Sequence, residues 1–230
     1  MNKQKILIIG FANEIKREEI HLFRGAVINA MQNANLLFHN HDSEDKLRYS
    51  YPLIQYKRIH RKAAIVCIGE GTEVIGEFFS AGKFDVLIGN RPVTLEVDSV
   101  KANQSIIQIW QDDFTYRIRT WLPLNQINYG MYSRLDGIAE KYSFLERMLT
   151  GNILSFAKGV GIHFDKQVQC CITAADEPRL TRYKGVKMMS FDVEFKSNVS
   201  LPDYIGLGKG VSLGCGTVVR KYEKNSDNNE

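Results

Sequence analysis

The chain has 230 residues, 44% of them hydrophobic and 24% charged, with a net charge of +4 and a pI near 8.8. That composition suits one large or two small globular domains with a sizeable core, and the mildly basic balance permits a polyanion partner. No apolar run approaches the ~18 residues that span a bilayer and no signal peptide opens the chain, so a soluble, cytoplasmic protein without a membrane partner is expected; the four cysteines, Cys67, Cys170, Cys171 and Cys215, lack Cys-x-x-Cys spacing and argue against a zinc ribbon or a disulfide framework.

Lys5 to Phe11 reads as a short buried strand. Ile20, Phe23, Val27, Ala30 and Met31 recur at helical spacing and predict a first helix ending near Asn33, with His21 on its surface. A polar segment, Asn35 to Asp42, follows and carries His39 and His41. Pro52 to Arg58 and Ala63 to Ile68 read as a hairpin with a solvated turn at Ile59 to Lys62. Gly71 to Gly82 reads as a second helix stopped by its final glycine, and Phe84 to Ile88 as a closing strand. That β-α-β-β-α-β order is the ferredoxin-like plan, with a boundary near Gly89 to Arg91.

From Pro92 the pattern restarts. Val93 to Val97, Ile106 to Ile109 and Thr115 to Leu122 are strand candidates; Leu135, Ile138, Tyr142, Leu145, Leu149 and Ile153 mark a long helix from Ser133 to Ala157. Gln167 to Thr173 and Val186 to Phe195 read as paired strands, and Thr217 to Arg220 as the last one. His163 reads as structural. The fold class expected is α+β, two tandem ferredoxin-like (RRM-like) domains at 1–90 and 91–222 with a C-terminal glycine-rich loop. The second helix of the second domain is poorly defined, and the charged, Asn-rich tail at 223–230 is expected to be disordered.

The glycine-rich loop runs from Pro202 to Gly216. Two Gly-apolar-Gly triplets, Gly206-Leu207-Gly208 and Gly214-Cys215-Gly216, flank a spacer carrying Lys209 and Gly210. Glycine serves where the backbone takes positive φ or where a neighbour approaches too closely for a Cβ. The pattern predicts a loop pinned by Leu207 and Cys215 whose outward amides, beside Lys209, suit phosphate oxygens.

Three readings compete for His39 and His41. One histidine can take the proton of a ribose 2′-hydroxyl while the other, or a lysine, helps the leaving 5′-oxygen, because imidazole works in both directions near neutrality. Alternatively His39, His41 and Asp42 bind a metal, although no further ligand lies nearby in the sequence. In the third reading the segment is a solvated loop. Against that, Leu36-Leu37-Phe38 would anchor the segment in the core, which suits a group that must be held in place.

The paired glycine triplets leading into a final strand resemble the loop of the CRISPR-associated Cas-six family, the repeat-RNA endoribonucleases. Leu36-Leu37-Phe38-His39-Asn40-His41-Asp42, followed by Tyr51-Pro52-Leu53-Ile54-Gln55-Tyr56-Lys57, resembles the N-terminal half of a branch with paired catalytic histidines. Trp121-Leu122-Pro123-Leu124-Asn125 with Tyr129 and Tyr132 resembles the entry to its C-terminal half, so the likeness covers most of the chain. The resemblance implies metal-independent cutting of CRISPR repeat RNA to give guide RNA with 2′,3′-cyclic phosphate and 5′-hydroxyl ends, with no cofactor. It implies His39 and His41 as the acid-base pair and Lys46 as the charge-stabilising lysine, which matches only by being basic and downstream. Some members use a tyrosine of the preceding helix; this chain has none there, and the second histidine takes that role. RNA would be held by Gly206, Gly208, Lys209, Gly210, Gly214 and Gly216, with Lys158, Arg179, Arg182, Lys184 and Lys187 forming a basic face and Tyr129, Tyr132 and Tyr183 available to stack. CRISPR repeat RNA is the partner implied, with effector-complex subunits and a homodimer left open. A non-cleaving RNA-binding module and a metal-dependent nuclease using the His39 to Asp42 cluster are the alternatives.

Overall fold

A computed structural model describes residues 2–31, 37 and 51–222. The N-terminal domain runs through β1 (Lys3–Glu14), α1 (Ile20–Asn29), β2 (Ile54–Ile59), β3 (Lys62–Ile68), the short helices α2 (Gly71–Val74) and α3 (Gly76–Ala81), β4 (Asp85–Ile88), β5 (Arg91–Thr94) and β6 (Val97–Ile106). Its antiparallel sheet has the order β2-β3-β1-β6, which is the ferredoxin-like arrangement. The closing strand is β6, not the predicted Phe84 to Ile88. That earlier segment pairs locally, β4 with β5, across a turn at Gly89, whose φ of 64° needs no Cβ. β6 escaped notice because Val-Asp-Ser-Val-Lys-Ala-Asn-Gln-Ser-Ile is exposed at nearly every position and carries no apolar alternation. The first sheet therefore runs to Ile106, past the boundary expected near residue 90.

The other strands of this sheet show why the predicted first strand is apolar without a break. Ile6 and Ile8 face the core of the second domain, whereas Leu7, Ile9 and Phe11 face α1. Both faces of the sheet are covered, so neither face of β1 needs polar residues. On the helical side Phe23 meets Phe11 and Tyr56 edge-on, with centroids 5.7 and 5.8 Å apart.

The second domain comprises β7 (Ile109–Trp121), α4 (Gln126–Tyr132), α5 (Ile138–Gly159), β8 (Cys170–Ala175), β9 (Arg179–Tyr183), β10 (Val186–Val199) and β11 (Thr217–Arg220). Its sheet has the order β11-β7-β10-β8, the same plan, with β9 folded onto β10 as a hairpin. The long helix starts later than expected, because Asn125 caps the separate helix α4 by accepting the Asn128 amide at 2.7 Å. Between β10 and β11, where this plan calls for a second helix, the chain instead forms the glycine-rich loop with a single 3-10 turn at Val211–Leu213. No helix among the described residues is long and apolar enough to cross a membrane.

Candidate nucleic-acid interface

The glycine-rich loop is wedged between the domains. On one side lies the bulged end of β7, where Thr120 adopts φ 51°, rare for a β-branched residue. The Thr120 amide donates to the Asp192 carboxylate at 2.6 Å, and its carbonyl accepts from Gly216 at 3.0 Å. Next along β7, a Cβ on Gly208 would stand 3.0 Å from the Trp121 indole. On the other side, Tyr51, Gln55 and Lys57 alternate along the extended chain entering and forming β2 and so share a face. The Tyr51 hydroxyl donates to the Gly206 carbonyl at 2.8 Å, and the Gly206 amide donates to Gln55 Oε1 at 3.0 Å. Lys57 Nζ reaches the Val211 carbonyl at 3.3 Å and Thr217 Oγ1 at 3.4 Å. It is 1% exposed and forms no ion pair among the described residues. Burial pushes its ammonium down to about 7, opposed only in part by the nearby Cys215.

Most amides of the glycine triplets face inward rather than outward. The backbone N–H groups of Gly206, Leu207, Lys209, Leu213, Gly214, Cys215 and Gly216 all donate within the protein. The glycines serve close packing: at Gly216 an added Cβ would overlap the Leu207 carbonyl oxygen. Gly206, Gly210 and Gly216 are buried and Gly208 is half-buried, while Lys209 is exposed on the surface of the loop.

Beside the loop two adjoining hollows, about 560 and 520 Å³, share Arg17, Ile20, Thr120 and Gly214 and form one groove between the domains. The N-terminal domain contributes Arg17, His21, Arg58, His60 and Arg61, and the C-terminal domain contributes Arg117, Arg119, Arg182, Lys184 and Lys221. The lining carboxylates are Glu18 and Glu194. Strand alternation sets the C-terminal wall: Tyr116, Ile118 and Val218 enter the core, so Arg117, Arg119, Thr217 and Val219 take the open face. Lys221 sits 2.9 Å from both oxygens of Glu194 and, with Arg117 at 3.3 Å, holds that carboxyl below its usual value. Arg17, Arg119, Arg182 and Lys184 form no ion pair among the described residues. Such a surface attracts a polyanion and can neutralise several phosphates at once.

Of the residues singled out from the sequence, Arg182, Lys184, Gly214 and Tyr183 line this groove. Arg179 is turned to Asp192 at 2.7 Å, and Lys158, Lys187 and Lys209 are exposed away from the groove lining. Tyr132 is buried, Tyr129 is exposed outside the groove, and His163 is exposed rather than built into the core. His39, His41, Asp42 and Lys46 lie outside the described residues. Among the described residues no cluster of histidine, cysteine and carboxylate side chains could hold a metal ion. The sequence reading missed Arg17, Arg58, Arg61, Arg117 and Arg119. The alternation Tyr116-Arg117-Ile118-Arg119 was a usable signal, since two arginines on one face of a predicted strand mark an uncovered, basic sheet surface.

Fold and groove together define a protein of two ferredoxin-like domains with a basic cleft between them. Residues 2–106 match the Cas6b N-terminal domain and residues 108–221 the Cas6b C-terminal domain, a division that coincides with the end of β6. A crystal structure of Cas6b superposes with a TM-score of 0.84 at 26% identity, covering 95% of this chain and 100% of that one. The crystal structure of a CRISPR RNA processing endoribonuclease Cas6b gives 0.72 at 25% identity with the same coverage. The uncharacterized protein MJ0978 of Methanocaldococcus jannaschii is 36% identical over 106 residues, 46% of this chain and 71% of that one. The chain belongs to the Cas6b family.

Proposed function

We propose that this chain is an endoribonuclease that cuts CRISPR repeat precursor RNA to give guide RNA, binding it in the interdomain groove. The observation that carries the reading is the groove itself, with Arg17, Arg119, Arg182 and Lys184, which form no ion pair among the described residues, drawn from both domains of a Cas6b-family chain. Phosphate contacts of this kind fix the register of the RNA, and the cut is then set by which ribose reaches the catalytic groups.

The chemistry needs no external nucleophile. In this mechanism His39 and His41 act as base and acid: one removes the 2′-hydroxyl proton, the 2′-oxygen attacks the adjacent phosphorus, and the bond from phosphorus to the 5′-oxygen breaks as the other imidazole protonates that oxygen. The products are a 2′,3′-cyclic phosphate and a 5′-hydroxyl. Lys46 offsets the extra charge on the pentacoordinate phosphorus, and no metal takes part. The N-terminal domain thus supplies the catalytic groups and one wall of the groove, and the C-terminal domain supplies the other wall. The glycine-rich loop serves chiefly as the joint between them and meets the groove at Gly214.

The test is cleavage of repeat RNA from the source genome in EDTA, beside the same RNA with one 2′-deoxy sugar upstream of the cut. A single cut that survives EDTA and stops with the deoxy sugar is expected. Binding without cutting would replace this reading with that of an RNA carrier, and dependence on a divalent ion would overturn the proposed mechanism.

A further inference from the structure

β11 separates the groove from a second surface. Thr217, Val219 and Lys221 face the groove, Val218 enters the core, and Arg220 and Tyr222 turn to the opposite side of the sheet edge. There the Arg220 guanidinium carbon lies 4.4 Å from the Phe114 ring centroid and 5.2 Å from that of Tyr222. Phe114 in turn meets Trp110 edge-on at 6.1 Å. Phe114 packs on the core and holds the Arg220 guanidinium against its ring, while the Arg220 backbone amide donates to Asp203 Oδ1 at 2.6 Å. The rings at the two ends are more open: Tyr222 is 72% exposed, and Trp110, whose Nε1 donates to Ser200 Oγ at 2.8 Å, is 42% exposed. Arg220 forms no ion pair among the described residues.

An exposed ring stacked on a guanidinium that is packed against Phe114 has the chemistry that holds a nucleotide: the ring takes the base face and the guanidinium takes the phosphate. Position favours the same ligand. Lys221 lies in the groove between Arg220 and Tyr222 in sequence, and β11 together with the Tyr204 to Gly206 segment bonded along its outer edge is only about 10 Å wide, so an RNA strand leaving the groove over β11 meets this surface within about two nucleotides. We propose that Arg220 and Tyr222 form a nucleotide-binding site that stacks one unpaired base of the RNA next to the segment held in the groove. This rests on the RNA-binding reading given above. The stacked nucleotide is single-stranded, because bases inside a duplex have both faces covered by their stacked neighbours.

The experiment measures equilibrium binding of repeat RNAs carrying one abasic nucleotide, walked along their unpaired part, to the wild-type chain and to Tyr222→Ala, Tyr222→Phe, Arg220→Lys and Arg119→Ala variants. For the wild type one abasic position should weaken binding roughly 5- to 150-fold, the range for a single base stacked on an aromatic ring. Tyr222→Ala should show a similar loss with intact RNA and no further loss with that abasic RNA, whereas Tyr222→Phe should bind as the wild type does. Arg220→Lys should also weaken binding, since lysine keeps the charge but not the plane. Tyr222→Ala binding within twofold of wild type, or losses that add fully at every abasic position, would overturn the site. If Arg119→Ala alone weakens binding, the groove reading stands and this one falls; if the wild-type chain does not bind repeat RNA, both fall.

Discussion

Replacing Lys57 with methionine tests how the two domains are joined. The amine is buried beneath the glycine-rich loop, and its value falls from 10.5 to about 7 chiefly because burial disfavours the ammonium. The folded value is depressed, so between pH 7 and 10.5 the unfolded chain binds more proton than the folded one. Stability from this group is complete above its ordinary value and is lost as pH falls to about 7. At roughly 1.4 kcal/mol per unit, the wild-type chain should gain about 2–3 kcal/mol of unfolding free energy between pH 7 and pH 9. Staying at or below pH 9 limits the opposite slope from the titratable neighbours, since burial raises the Cys215 thiol and the Tyr51 phenol above their ordinary 9.0 and 10.0. Urea unfolding at each pH reads the effect, and Lys57→Met should abolish the rise. At pH 9 the variant should be less stable by about 1–3 kcal/mol, because the Val211 carbonyl and the Thr217 hydroxyl lose a donor. A flat wild-type profile, or a methionine variant that keeps the rise, would refute the account of a buried amine at this joint.

Gly216→Ala should cost about 3 kcal/mol or more, since it combines φ 62° with overlap on the Leu207 carbonyl. Gly161→Ala, at φ 74° but facing open space, should cost only about 1 kcal/mol; equal losses in denaturant unfolding would show that packing at Gly216 contributes nothing. Arg119→Ala should weaken binding of all RNA sequences alike and reduce the slope of log affinity against log salt by about 1, with the exposed Lys101→Ala on β6 as an unaffected control. His39→Ala and His41→Ala should each slow cutting by roughly 10²- to 10⁴-fold while RNA binding persists, measured by single-turnover cleavage beside filter binding.

The ferredoxin-like plan of each half was readable because most of its strands are buried on at least one face, as in the apolar run of β1 and the alternating Thr115 to Leu122. β6 was not, because an edge strand exposed on both sides carries no periodicity to detect. The glycine triplets announced a special loop, but the same glycines fit a ligand cradle and a tight interdomain joint equally well. Only the partners of Gly206, Gly208 and Gly216, brought in from β2, from β7 and from within the loop, distinguish the two. The groove was legible only in its C-terminal half. Arg17, Arg58 and Arg61 come to it through the packing of the first domain on the second, and no spacing along the chain encodes that approach.

The loop that replaces the second helix of the C-terminal domain bears on the evolutionary history of such chains. A ferredoxin-like unit with both helices closes its own core and can be shuffled freely between proteins. Here one side of the closing segment is supplied by Tyr51, Gln55 and Lys57 of the neighbouring unit. A hybrid that joined this C-terminal half to an unrelated first domain would leave the Gly206 amide and the Val211 carbonyl without these partners, so exchange of one half alone should cost stability. Substitutions at the three β2-side positions and within the glycine triplets should accordingly arise together rather than singly.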